Sequence, residues 1–169
     1  MPNTFELISA VTLGSSAATI SFTSIPSTYT DLSLQMSLRS NYGAGSGAQV
    51  TFNSSATGYS YKQLYGFSGG AGSVGGTGTY IGFNLPGSNA TANTFGSIGL
   101  YTPNYAGSNN KSVSIDEAYE NNSSTVWQLD LFAYLWSNSA AINSITITEG
   151  AGSTFTANST AYLYGVKNA

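Results

Sequence analysis

Along residues 31–38, DLSLQMSL, apolar side chains fall at every second position: Leu32, Leu34, Met36 and Leu38. A β-strand turns successive side chains to opposite faces, so this spacing describes a ribbon with one apolar face and one polar face. The same period recurs through most of the chain. Phe5, Leu7, Val11 and Leu13 share one parity, and Ile20 and Phe22 follow after the Gly14-Ser15-Ser16 turn. Further strands are expected over 49–53, 59–67, 79–85, 94–101, 111–118, 126–136, 142–148 and 160–166. Between them lie NYGAGSG, LPGSNATAN, TPNYAGSNN and EGAGST, clusters of the residues that turn a chain. Ile25-Pro26 marks a corner, because proline donates no N–H and restrains the residue before it. No stretch presents a helical face. The pattern predicts an all-β chain: a single antiparallel β-sandwich domain spanning 1–169, jelly-roll-like.

Composition supports this and narrows the chemistry. Of 169 residues, 41% are hydrophobic, enough for one core, and only 7% are charged, so Ser, Thr, Asn and Gly must solvate the surface. Arg39, Lys62, Lys111 and Lys167 are the four cations in a chain of net charge −3; scattered as they are, they form no basic stripe, and nucleic acid is not an expected partner. There is no cysteine to form disulfides or thiolate metal sites. The N-terminus lacks the basic and apolar regions of a signal peptide, and no apolar run has the length of a membrane span. Synthesis in a cytoplasm and no membrane partner are the expectations.

The Gly-rich tract 66–80, GFSGGAGSVGGTGTY, has the composition of a linker, but the flanking strand patterns are too short for separate cores. It reads as an extended loop or hairpin tip. Within it, GAGSVG matches the glycine spacing of a dinucleotide-binding turn. That turn needs a following helix and an acid about twenty residues on; here the next segment is strand-like and the next acid is Asp116.

The chain has no histidine, which removes Ser-His-Asp and Cys-His catalysis and histidine metal sites. Two carboxylates suffice for glycoside hydrolysis, and seven are present: Glu6, Asp31, Asp116, Glu117, Glu120, Asp130 and Glu149. Asp116 and Glu117 are adjacent, so a strand sends them to opposite faces, and solvated charges are the expected reading. DEAYENN offers oxygens to Ca²⁺ but fits no standard calcium loop. Neither a catalytic residue, a metal nor a cofactor is expected. The N-x-S/T triplets at Asn53, Asn89, Asn110, Asn121, Asn122 and Asn158 follow from an Asn-, Ser- and Thr-rich composition. Among twelve tyrosines, Tyr59, Tyr61 and Tyr65 stand together in YSYKQLYGF as candidate contacts to a glycan or a neighbouring subunit, or simply as strand formers. Trp127 and Trp136 bracket the most apolar strand pattern on opposite parities, one expected in the core and the other at a subunit contact.

FELISAVTLGSSAATISFTSIPSTYTDLSLQMSLRS resembles the start of small structural proteins of tailed bacteriophages, many from marine and cyanobacterial phages. The resemblance resumes at ANTFGSIGLYTPNYAGSNNKSVS and at LWSNSAAINSITITEGAGSTFTANSTAYLYGVKNA, and leaves 41–85 unmatched. It implies a non-enzymatic virion component with a jelly-roll-like sandwich, often oligomeric. The expected role is a capsid decoration or cement protein on the head exterior, a homotrimer contacting the major capsid protein or other virion proteins. The alternative is a tail-fibre or tail-tip receptor-binding domain recognising a host surface glycan.

Overall fold

The structure is a computed structural model and describes residues 4–43, 46–67, 69–120 and 128–167. Twelve strands make it up: β1 (Phe5–Thr12), β2 (Thr19–Phe22), β3 (Asp31–Leu38), β4 (Ser46–Phe52), β5 (Tyr59–Phe67), β6 (Gly70–Gly78), β7 (Ile81–Leu85), β8 (Gly96–Thr102), β9 (Lys111–Tyr119), β10 (Gln128–Trp136), β11 (Ile145–Glu149) and β12 (Thr160–Val166). The described residues contain no helix. All pairings are antiparallel. One sheet runs β1-β12-β3-β8-β9-β10-β5-β6 and the other β2-β11-β4-β7.

The strand order contains a jelly roll with two additions. The quartet β1-β12-β3-β8 belongs to the large sheet and β2-β11-β4-β7 is the small one, and the chain crosses between them at β1–β2–β3–β4, β7–β8 and β11–β12. That is the double Greek key of an eight-stranded jelly roll. The remaining strands enter as two consecutive pairs, β5–β6 between β4 and β7 and β9–β10 between β8 and β11. Both extend the large sheet on its β8 side, so it overhangs the small sheet beyond β7.

Alternation places the core as the sequence indicates in β3 and β9, but not in β1. There a bulge between Leu7 and Ser9 breaks the parity, leaves Phe5 and Leu7 exposed and packs Ile8 with Val11 and Leu13 against the core. Lys111, Val113, Ile115, Glu117 and Tyr119 of β9 point inward while Ser112, Ser114, Asp116 and Ala118 are exposed. Leu32, Leu34, Met36 and Leu38 of β3 are buried in one hydrophobic cluster with Phe22, Val50, Phe52, Ile81, Ile147 and Leu163, which joins both sheets. Trp136 lies among aromatic rings, edge-on to Phe52 at 5.5 Å and stacked with Tyr59 at 6.1 Å. It is the core tryptophan; Trp127 lies outside the described residues. At the Pro26 corner, the buried Ile25 donates its N–H to the Asn143 carbonyl, and the Tyr105 hydroxyl donates to the Pro26 carbonyl.

The glycine tract is mostly a strand. It turns at Gly69, whose φ is 82°, and β6 then pairs with β5 as far as Tyr59 opposite Gly78. Glycine's low strand propensity is outweighed by a fixed partner whose large side chains need the space. A Cβ on Gly72 would sit 2.6 Å from the Tyr65 hydroxyl oxygen, and one on Gly75 would sit 2.6 Å from Cδ of Lys62.

Candidate functional site

The overhang produces a groove. Beyond β7 the inner face of β10 and β5 has no second sheet above it, and a recess of about 580 Å³ opens between this face and the β4–β7 edge. Register sets its floor: Phe132 lies opposite Gln63 and Tyr134 opposite Tyr61, all turned inward. Tyr134 stacks with Tyr61 at 5.4 Å and with Phe132 at 5.6 Å. The Tyr134 hydroxyl donates to the Gly82 carbonyl at 2.8 Å and accepts the Gly82 N–H at 2.9 Å, tying floor to wall. Burial is the first cause that pushes this phenol up to about 12; the Gly82 N–H opposes it, and Tyr61, Tyr80 and Glu117 add to it. Tyr80 rises at the rim, 39% exposed, and its ring packs over Gly82. Gln49 and Gln63 line the recess, and among the described residues neither amide has a hydrogen-bond partner. None of the lining side chains is charged.

Behind one groove residue, Asn84, lies a buried carboxylate pair. Glu117 and Asp130 are directly opposite on β9 and β10 and almost fully buried. The Asn84 N–H donates to Glu117 Oε2 at 2.8 Å, and its side-chain amide donates to Asp130 Oδ2 at 2.9 Å. Gln128 Nε2 donates to the same Asp130 oxygen at 2.8 Å. Glu117 Oε1 and Asp130 Oδ1 have no partner. Burial first, and the neighbouring Asp130 after it, push the Glu117 carboxyl up to about 8 against the opposing Asn84 N–H. Glu117 therefore keeps its proton at neutral pH. Tyr119, above the pair, is pushed up to about 12 by burial and then by both carboxylates. Buried carboxylate pairs serve general acid–base catalysis elsewhere. Here both side chains are buried and neither lines the groove.

The other buried ionic groups are held by backbone and hydroxyls. Arg39 donates to the carbonyls of Thr91, Thr94 and Ala90 at 2.8–2.9 Å and of Ser88 at 3.4 Å, fixing the loop after β7. Lys111 donates to the Gly107 and Asn109 carbonyls. Burial pushes Glu149 up, but donors from Ser46, Ser153, Ser40 and Ala151 outweigh it and hold its carboxyl below the usual value. Asp31 accepts from the Tyr101 hydroxyl at 2.5 Å and the Asn104 N–H at 2.9 Å.

The three candidate tyrosines separate. Tyr59 is 2% exposed, with its hydroxyl bonded to the Phe52 N–H, so it is a core residue with no surface to offer a glycan or a subunit. Tyr61 lines the groove. Tyr65 lies further along the same face of β5, over Gly72 and outside the groove. Asp116 and Glu117 do point to opposite faces. Among the described residues no three His, Cys, Asp or Glu side chains are grouped as a metal would need, and Asn121 and Asn122 of the DEAYENN stretch lie outside them. Sequence reasoning did not find the Glu117–Asp130 pair, nor Gln49, Gln63, Tyr80, Asn84 and Tyr134 as groove residues. Solvated carboxylates are the expectation from sequence; Asp31, Glu117, Asp130 and Glu149 are instead buried, because they stand on the inward parity of their strands or are held by hydrogen-bond donors.

The outer face of the same strands is apolar. Leu131 lies opposite Leu64, Leu129 opposite Gly66 and Ala133 opposite Lys62. Leu64 and Leu129 are 60% exposed and Leu131 55%, with Leu135 continuing the row. Comparison with protein-family models, curated proteins and solved structures finds no match for this chain.

Proposed function

We propose that this chain is a non-enzymatic structural subunit of a bacteriophage virion, a homo-oligomeric decoration protein of the head exterior. The observation that carries the association is the leucine row on the outer face of β5 and β10. Side chains exposed to this degree on adjacent strands form a patch that a protein gains by covering. Its first occupant is a second copy of this chain. Lys62 and Asp116 flank the leucines on opposite sides, and among the described residues neither has an ion-pair partner. A copy turned to bring its own leucines into contact offers each charge its opposite. The resemblance of the three quoted segments to phage structural proteins supports the virion setting, and a lattice-bound subunit gains from weak contacts repeated many times.

Two measurements test this. Light scattering on the purified chain is expected to give an oligomer, and Leu64→Lys with Leu131→Lys to give a folded monomer. A wild-type monomer at concentrations of about 100 μM would overturn the association, a Kd near that value being the weakest that such a patch should give. Quantitative mass spectrometry of virions encoding the chain is expected to find it in numbers comparable with the shell protein. A few copies per particle would move it to the tail, and absence would end the virion reading.

A further inference from the structure

We infer that the groove between the β4–β7 edge and β5–β10 is a binding site for a neutral oligosaccharide. The lining determines the class. A recess with no charged side chain has nothing to pair with a phosphate, a carboxylate or a cation, which excludes nucleotides, acidic sugars and charged peptides as its preferred ligands. What it does present is aromatic surface beside amides. The exposed ring of Tyr80 at the rim and the half-buried ring of Tyr61 on the floor supply flat apolar faces with polar edges, the surface that packs on the C–H face of a sugar ring. Gln49 and Gln63 each bring a donor and an acceptor that no described residue uses, a match for vicinal hydroxyls that both donate and accept.

The walls give the site room and rigidity. Gly47, Gly78, Gly82 and Gly150 line it, so backbone rather than side chain bounds the recess and polar main-chain groups stay within reach of a ligand. The floor is preorganised: Tyr134 is fixed by both of its bonds to Gly82, and Asn84 by its bonds to Glu117 and Asp130. A ligand therefore orders little beyond Tyr80 and the two glutamines, which limits the entropic cost of binding. A volume of about 580 Å³ falls within the range of small-ligand sites and accommodates a short oligosaccharide rather than a folded partner.

This inference is independent of the virion reading, because groove and leucine row lie on opposite faces of the strands. The test is saturation-transfer NMR and calorimetry on the full chain with neutral oligosaccharides of glucose, galactose, mannose and N-acetylglucosamine. Sialylated and uronic-acid oligosaccharides and an apolar peptide serve as comparators. At least one neutral oligosaccharide is expected to bind with a Kd of about 1 mM or tighter. Tyr80→Ala and Gln63→Ala, with thermal unfolding as the check on folding, are each expected to weaken it about tenfold, and Leu131→Lys to leave it unchanged. Binding of no neutral sugar, preference for the acidic sugars or the peptide, or full retention of binding in folded Tyr80→Ala and Gln63→Ala overturns the assignment. None of these results bears on particle copy number or oligomeric state.

Discussion

Glu117 makes the stability of this fold depend on pH in a defined direction. Its carboxyl holds a proton up to about 8 in the folded chain, whereas an unperturbed glutamate releases it near 4.5. Between these values the folded state binds the proton and the unfolded state has released it. The contribution of Glu117 to stability is therefore greatest below about 4.5 and falls by about 1.4 kcal/mol per pH unit until it levels near 8. Urea unfolding midpoints measured from about pH 5 to pH 9 should show this fall, and Glu117→Gln should flatten it. A slope that survives in Glu117→Gln would assign the titration to another group. Arg39 offers a second residue-scale test. Removing its guanidinium strands four carbonyls and empties a buried site, so Arg39→Ala should cost about 3 kcal/mol in denaturant unfolding. Arg39→Lys keeps the charge but loses the planar fork and should fall between. The parity of Leu32, Leu34, Met36 and Leu38 was readable from period two; the burial of Glu117 and Asp130 and their pairing were not, because register between strands is set by turns and packing rather than by either strand alone.

At the scale of elements, β6 and β9 show what local pattern can and cannot reveal. β9 alternates without exception and is legible as a strand from its apolar positions alone. β6 carries almost no side chains and is exposed along nearly its whole length, so its strand state comes entirely from the ladder to β5. With little buried apolar surface, β6 should open far more readily than β9 or β10. Hydrogen exchange followed by mass spectrometry should show its amides exchanging first among the twelve strands, and protection equal to that of β10 would contradict this. The aromatic group around Trp136 is the opposite case: Trp136→Ala should cost about 3–5 kcal/mol, read as a lower thermal midpoint.

For the whole molecule, the sandwich and its jelly-roll character follow from many short alternating segments separated by turn clusters. The order of strands within each sheet does not, since eight of the eleven connections between consecutive strands cross from one sheet to the other and strands pair with partners far along the chain. The groove was hidden for the same reason. It exists only because two inserted strand pairs carry one sheet past the edge of the other, a fact about relative width that no single segment encodes. Of the three tyrosines singled out in YSYKQLYGF, parity made them equivalent. Only their position along β5, under the small sheet or beyond it, separates core Tyr59 from groove Tyr61.

β10 is shared by both surfaces: Phe132 and Tyr134 face the groove, while Leu129, Leu131 and Leu135 face outward. A subunit seated by its leucines thus keeps its recess unobstructed. Copies fixed at regular intervals would hold their recesses as an array, each too weak alone to retain a neutral glycan chain. Once one was filled, the next would meet its sugar at an effective concentration set by the spacing, and the surface would adhere where the single domain lets go.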